Sequence, residues 1–174
     1  MPALPPSLSR LIRTAPLLVL GSAAPLAVAL VAQFFFALPP CHFCLLQRYP
    51  YLVAIVAGLV LWRLPRYRGL LVAVGVLALL TTGALGAYHT SIERGWIAYS
   101  GGCVADAGAT GSIDDLRAQI LNAPKVSCTD AMASFAGLSM ASWNMLYAWG
   151  LAMIIAVLYL RERRSIRHAI HRET

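Results

Sequence analysis

Cys41-His42-Phe43-Cys44 is a CxxC, a spacing that lets two sulfurs bond to each other or exchange with a partner and that lowers the pKa of one thiol. The chemistry is redox or metal binding, and the other cysteines separate the two. Cys103 and Cys128 have 24 residues between them rather than two, so the four do not make the paired CxxC set of a structural zinc site. Arg48 follows Cys44 by four residues, the spacing that sets both on one helical face, where a guanidinium stabilises a thiolate. If a helix begins at about Cys44, the unpaired N–H groups and positive dipole end of its first turn act on the same sulfur. His89 and Gln33 are the remaining polar candidates, and their weight depends on the elements that carry them.

Those elements are membrane spans. Of 174 residues, 59% are hydrophobic and only 12% charged, too apolar for a soluble domain of this size. A span needs about 20 apolar residues. Ala15–Pro40, Gly69–Tyr88 and Gly137–Leu160 carry no charge, and Leu45–Leu64 carries Gln47 and Arg48 in its first turn, at head-group level. The expected helices cover about 15–38, 45–64, 69–88 and 139–160. Arg10, Arg13 and the apolar run after them also resemble a signal peptide, but the run continues through Phe34-Phe35-Phe36, longer than a signal core, and reads as an uncleaved anchor.

The net charge of +7 is a topology signal, not a nucleic-acid one. Arg10 and Arg13, then Arg63, Arg66 and Arg68, then Arg161, Arg163, Arg164, Arg167 and Arg172 fall on one side, which the positive-inside rule makes cytoplasmic together with both termini. The opposite face holds loops at about 39–44 and 89–138, and these contain all four cysteines. In a bacterial envelope that face permits disulfides, so two bonds with three possible pairings are expected. Within the long loop, Ser112-Ile113-Asp114-Asp115 starts a short amphipathic helix that Asn122-Ala123-Pro124 stops. The expectation is an all-α, monomeric, single-domain protein over 1–174: an integral membrane four-helix bundle with two outer loops.

Helical ends then place Cys44, Arg48 and His89 at one membrane depth. An arginine near a helix end also snorkels to phosphate, and a terminal histidine is often merely solvated. Their convergence is what suggests a redox site for a lipid-soluble acceptor. Gln33, about two turns below the CxxC, can hydrogen-bond such an acceptor or another helix.

These residues resemble the disulfide bond formation protein B (DsbB) family. The likeness is carried by a Gln in helix one, P-C-H-F-C-L-L-Q-R-Y-P at Pro40–Pro50, Y-H-T-S-I-E-R-G-W at Tyr88–Trp96, the loop cysteine pair, and F-A-G-L-S-M-A-S-W-N at Phe135–Asn144. Phe43 stands where many members have Leu, and Ala141 where many have Pro; neither changes a chemical group. The vitamin K epoxide reductase fold is also a four-helix bundle with a CxxC and a loop pair, but there the CxxC follows the loop cysteines. The DsbB resemblance implies bonds Cys41–Cys44 and Cys103–Cys128, and a reduced periplasmic DsbA-type partner that attacks Cys103. Electrons then pass to Cys41–Cys44 and on to ubiquinone or menaquinone beside Cys44 and Arg48 in the bacterial inner membrane. A zinc-binding membrane protein is the reading from another class.

Overall fold

In lipid, an apolar run can satisfy its own backbone N–H and C=O groups only as a helix, unless it joins a closed barrel. The computed structural model describes residues 6–98, 112 and 134–173, with side chains described over 14–98, 112 and 134–165. Its elements are α1 (Pro6–Phe35), α2 (His42–Leu46), α3 (Arg48–Arg63), a 3₁₀ turn at Pro65–Tyr67, α4 (Arg68–Glu93), a hairpin of β1 (Ser134–Phe135) and β2 (Leu138–Ser139), and α5 (Met140–Glu173). Among the described residues, four stretches are long and apolar enough to cross a membrane: Thr14–Phe35, His42–Arg63, Pro65–Glu93 and Met140–Ser165. The all-α four-helix membrane bundle is therefore present. The short amphipathic helix expected after Ser112, and both loop cysteines, lie outside the described residues.

Local sequence explains the interruptions. α2 and α3 form one span broken at Gln47, because Pro50 has no N–H to offer the carbonyl of Leu46 four residues back. Pro25 does the same to Gly21 inside α1, and Tyr147 of α5 replaces the lost donor, its hydroxyl giving a 2.7 Å hydrogen bond to the Gly21 carbonyl. The hairpin pairs Ser134 with Ser139 and Phe135 with Leu138. Its two turn residues, Ala136 (φ 52°) and Gly137 (φ 77°), are both left-handed, as a type I′ turn requires. Ser139 then caps α5, its hydroxyl accepting from the Ser142 N–H.

Between helices in lipid there is little hydrophobic drive, so association rests on close van der Waals packing and interhelical polar contacts. α3 lies between α1 and α4, and α4 packs along α5, while α1 and α5 form the sparsest of the four seams between neighbouring helices. Small residues set these approaches. A Cβ on Gly58 would stand 2.7 Å from Val19, one on Gly75 2.5 Å from Leu18, and one on Gly83 2.2 Å from Trp149. Leu18, Ala54, Leu61, Val72, Leu79 and Ile155 form the buried core, and the lipid-facing side shows exposed Leu, Val and Phe, including Phe34–Phe36. At the end bearing the termini, Arg68 pairs with the buried Glu162 and donates to Thr14, tying α4, α5 and α1. Arg68 is thus a packed ion pair, where the sequence suggested a loop cation.

Candidate functional site

At the opposite end, Pro39-Pro40 ends the link after α1 and delivers Cys41 as the N-cap of α2, its sulfur accepting from the Cys44 N–H at 3.1 Å. The helix therefore starts at His42, not at about Cys44. The capping geometry falls on Cys41, with Cys44 one turn inside. Phe43 fixes this turn: it is buried with Ile92 and both sulfurs, its ring 5.5 Å from the rings of Tyr88 and His89. His42 points outward.

The two sulfurs lie 2.7 Å apart and unbonded, as in the reduced form of the pair. Cys41 is 3% exposed, and its sulfur is 3.7 Å from His89 Nε2. Its pKa is lowered to about 4 by the hydrogen bond shared with the Cys44 side chain and then by the His89 contact and charge, against desolvation. His89, far from being a solvated terminal residue, is buried, with Glu93 one turn on and 3.7 Å from the same Nε2. Glu93 Oε2 and His89 Nδ1 have no hydrogen-bond partner among the described residues. One nitrogen of His89 and the sulfurs of Cys41 and Cys44 fall within 4.8 Å of one another, a set that can hold a metal ion.

Arg48, at the start of α3, donates from Nη1 to Gln33 Oε1 at 2.9 Å. Of the two roles open to Gln33, the structure shows a hydrogen bond to another helix, one that orients the guanidinium. Beside it runs a polar chain that sequence reasoning passed over: Tyr51 donates to Asn144 at 2.7 Å, Asn144 donates to Gln47 at 2.6 Å, and Thr82 donates to the Gln47 carbonyl. The signal was available, since Gln47 and Asn144 are amides inside apolar spans, where polar groups are costly and usually functional.

A cavity of about 470 Å³ lies beside these groups, bordered by residues of α1, the CxxC turn, α3, α4, the hairpin and α5; Gln33 is not among its lining residues and reaches it only through Arg48. Cys41, Cys44, Gln47, Arg48, His89, Glu93 and Asn144 line it, together with Ala24, Leu26, Val28 and Ala32 of α1. Phe135 of the hairpin and Trp143 of α5 also border it, joined by a Trp143 Nε1 hydrogen bond to the Phe135 carbonyl. The volume lies in the usual range for small-molecule sites, which are mostly apolar with a few placed polar groups. Buried donors without partners among the described residues, Arg48 Nε and Gln47 Nε2, suit a flat apolar molecule carrying carbonyl oxygens. Cys103 and Cys128 lie outside the described residues, so the structure brings together Cys41, Cys44, Arg48, His89 and Gln33 only.

A family model described as Disulfide bond formation protein DsbB matches residues 12–158. The chain is similar to the Disulfide bond formation protein B of Polaromonas sp. (strain JS666), 34% identical over 158 residues that cover 88% of this chain and 93% of that protein. It is also similar to an uncharacterized protein of Rickettsia prowazekii (strain Madrid E), 29% identical over 126 residues that cover 70% and 72% respectively. No solved structure matches significantly.

Proposed function

Because the chain belongs to the DsbB family of membrane proteins for disulfide bond formation, we propose that it reoxidises a periplasmic DsbA-type thiol oxidase and passes the electrons through two cysteine pairs to membrane quinone. The DsbA–DsbB–quinone route is the known means by which the bacterial periplasm is kept oxidising. The observation that carries the reading for this chain is the cavity that a CxxC, a guanidinium and a buried histidine line together.

Cys103 takes the partner's attack, Cys128 is released and reduces the Cys41–Cys44 bond, and the partner leaves oxidised. Each transfer exchanges one disulfide for two thiols, so electrons and protons balance. A quinone bound in the cavity supplies a two-electron, two-proton acceptor, which the route needs because DsbA, at about −120 mV, already lies above most thiol couples. The chain's own groups prepare the donor side. Cys41 is held as a thiolate, Cys44 is only half-buried on the cavity wall, and Arg48 keeps a positive charge there in an orientation fixed by Gln33. Re-forming the Cys41–Cys44 bond from the Cys41 thiolate and the Cys44 thiol releases two electrons and one proton, and the second proton that a quinone needs would come from solvent. The charge pattern supports an inner-membrane orientation with both termini cytoplasmic and the cysteines periplasmic.

The test is direct. Purified protein given reduced DsbA-type partner should bleach the absorbance of a soluble quinone analogue catalytically, and absence of partner-dependent bleaching would end this reading.

A further inference from the structure

The zinc reading of the sequence fails on the spacing of Cys103 and Cys128, but the fold supplies ligands the sequence could not join. His89 and Glu93, on α4, are brought against the CxxC turn from 48 residues away in sequence. Three donor atoms of the kinds that bind zinc, the two sulfurs and one nitrogen of His89, lie within 4.8 Å of one another; Glu93 Oε1, 3.7 Å from His89 Nε2, stands outside that set and would complete a fourth position by a small swing.

The distances can be compared with a tetrahedral site. With metal–sulfur bonds of about 2.3 Å and metal–nitrogen bonds of about 2.05 Å, sulfur and nitrogen on one ion stand about 3.6 Å apart. Cys41 Sγ and His89 Nε2 are 3.7 Å apart. Nitrogen and carboxylate oxygen should stand about 3.4 Å apart, and His89 Nε2 and Glu93 Oε1 are 3.7 Å apart. The sulfurs need about 3.8 Å and have 2.7 Å, so Cys44 must swing by about 1 Å. It is the half-buried member of the pair and faces the cavity. Glu93 points to a ligand independently: its side chain is 9% exposed, it lines the cavity, and its Oε2 has no partner among the described residues. A buried carboxylate oxygen without a hydrogen bond is costly, and a cation would relieve that cost.

We propose that Cys41, Cys44, His89 and Glu93 form a site for a thiophilic divalent cation such as zinc, open only when the Cys41–Cys44 pair is reduced. On binding, the ion joins the Cys41 thiolate and displaces the thiol proton of Cys44, which leaves to solvent, and no electrons move. With two thiolates and one carboxylate the site carries one net negative charge, which Arg48, lining the same cavity, offsets. Once both sulfurs are ligated they can neither bond to each other nor give up electrons, so the cation holds the protein in its reduced form. This consequence for turnover rests on the quinone reading above; the binding site itself does not.

The experiment uses full-length protein carrying Cys103→Ser and Cys128→Ser, which leaves Cys41 and Cys44 as its only cysteines, titrated with Co²⁺ before and after reduction. The reduced form should take up one Co²⁺ with thiolate charge-transfer absorption and the intense visible bands of tetrahedral cobalt, and the oxidised form none. His89→Ala and, as a gentler change, Glu93→Gln should each weaken binding by about tenfold or more. Added Zn²⁺ should displace the cobalt and stop quinone reduction by the pre-reduced protein, and a chelator should restore it. No uptake by the reduced form, or uptake equally tight in both variants, would overturn the site. Zinc binding that left quinone reduction untouched would overturn the block on turnover. Cobalt bound as described by a protein that never reduces quinone would retain the site and remove the quinone reading, whereas quinone reduction without metal uptake would do the reverse.

Discussion

Replacing Arg48 by methionine keeps the apolar stem and removes the charge and the donors, which separates an electrostatic role from anchoring in lipid. Two magnitudes follow from the structure. In stability, the change deletes the hydrogen bond from Arg48 Nη1 to Gln33 Oε1; bonds to charged groups are worth about 1.5–3 kcal/mol, and because both residues are only half-buried the lower end applies. In rate, removal of a preorganised donor aimed at developing negative charge costs about 100-fold to 1000-fold, or about 2.7–4 kcal/mol. The rate loss therefore exceeds the stability loss. Arg48→Met should remain folded in detergent and form the partner mixed disulfide normally, yet reduce quinone at least about 100-fold more slowly or need far more of it. Arg48→Lys should fall between, since a point charge replaces the planar fork. Gln33→Leu leaves the charge and loses only its orientation, a loss of about 1 kcal/mol or about fivefold in rate. Stopped-flow quinone absorbance over a range of quinone concentrations measures all three. Arg48→Met turning over at the wild-type rate and affinity would make Arg48 a lipid anchor and refute the assignment.

Denatured without reductant, the resting protein should leave all four cysteines unlabelled by maleimide, and a partner lacking its second active-site cysteine should be trapped by wild type and by Cys128→Ser but not by Cys103→Ser; trapping that survived loss of Cys103 would reverse the roles. In the variant retaining only Cys41 and Cys44, ultraviolet thiolate absorbance of the reduced protein should persist on acidification until about pH 4, whereas an ordinary thiol is protonated below about 8.5. The sign follows from a folded-state pKa depressed below the unfolded value: the stabilisation is fully present above the unfolded value of about 8.5 and is lost as pH falls through about 4. Cys44→Ala, which removes the largest cause of the depression, should move that titration upward. Gly83→Ala places a Cβ 2.2 Å from the Trp149 ring, so it should lower the melting temperature by a loss of about 1–3 kcal/mol; an unchanged melting temperature would mean the α4/α5 contact is looser than described.

Much of the bundle was legible because the bilayer imposes one rule on apolar runs, and charge-free stretches of spanning length follow it regardless of packing. The CxxC and Arg48 were legible for the same reason: both chemistry and spacing are local. What sequence could not supply was contact between helices. Glu93 falls by number in the 89–138 loop, but α4 continues to it and brings it beside His89, and Arg68 marks topology in the sequence while Glu162 stands opposite it in the fold. The shift of the helix start from Cys44 to His42 came from the cap: a cysteine accepting the N–H three residues on performs the part of a serine or aspartate, a role its side chain rarely advertises. The hairpin at Ala136-Gly137 was hidden because alanine seldom occupies the left-handed first position of such a turn.

The central claim is that electrons leave this protein from the Cys41–Cys44 pair into a quinone held in the cavity that the pair borders. It can be tested without any partner. Protein carrying Cys103→Ser and Cys128→Ser, reduced chemically and freed of reductant, is mixed with excess quinone analogue and followed by absorbance. One quinone per protein should be reduced, with formation of the Cys41–Cys44 bond, and none after Cys44→Ser. No quinone reduction by the reduced pair, or reduction that persists without Cys44, would contradict it.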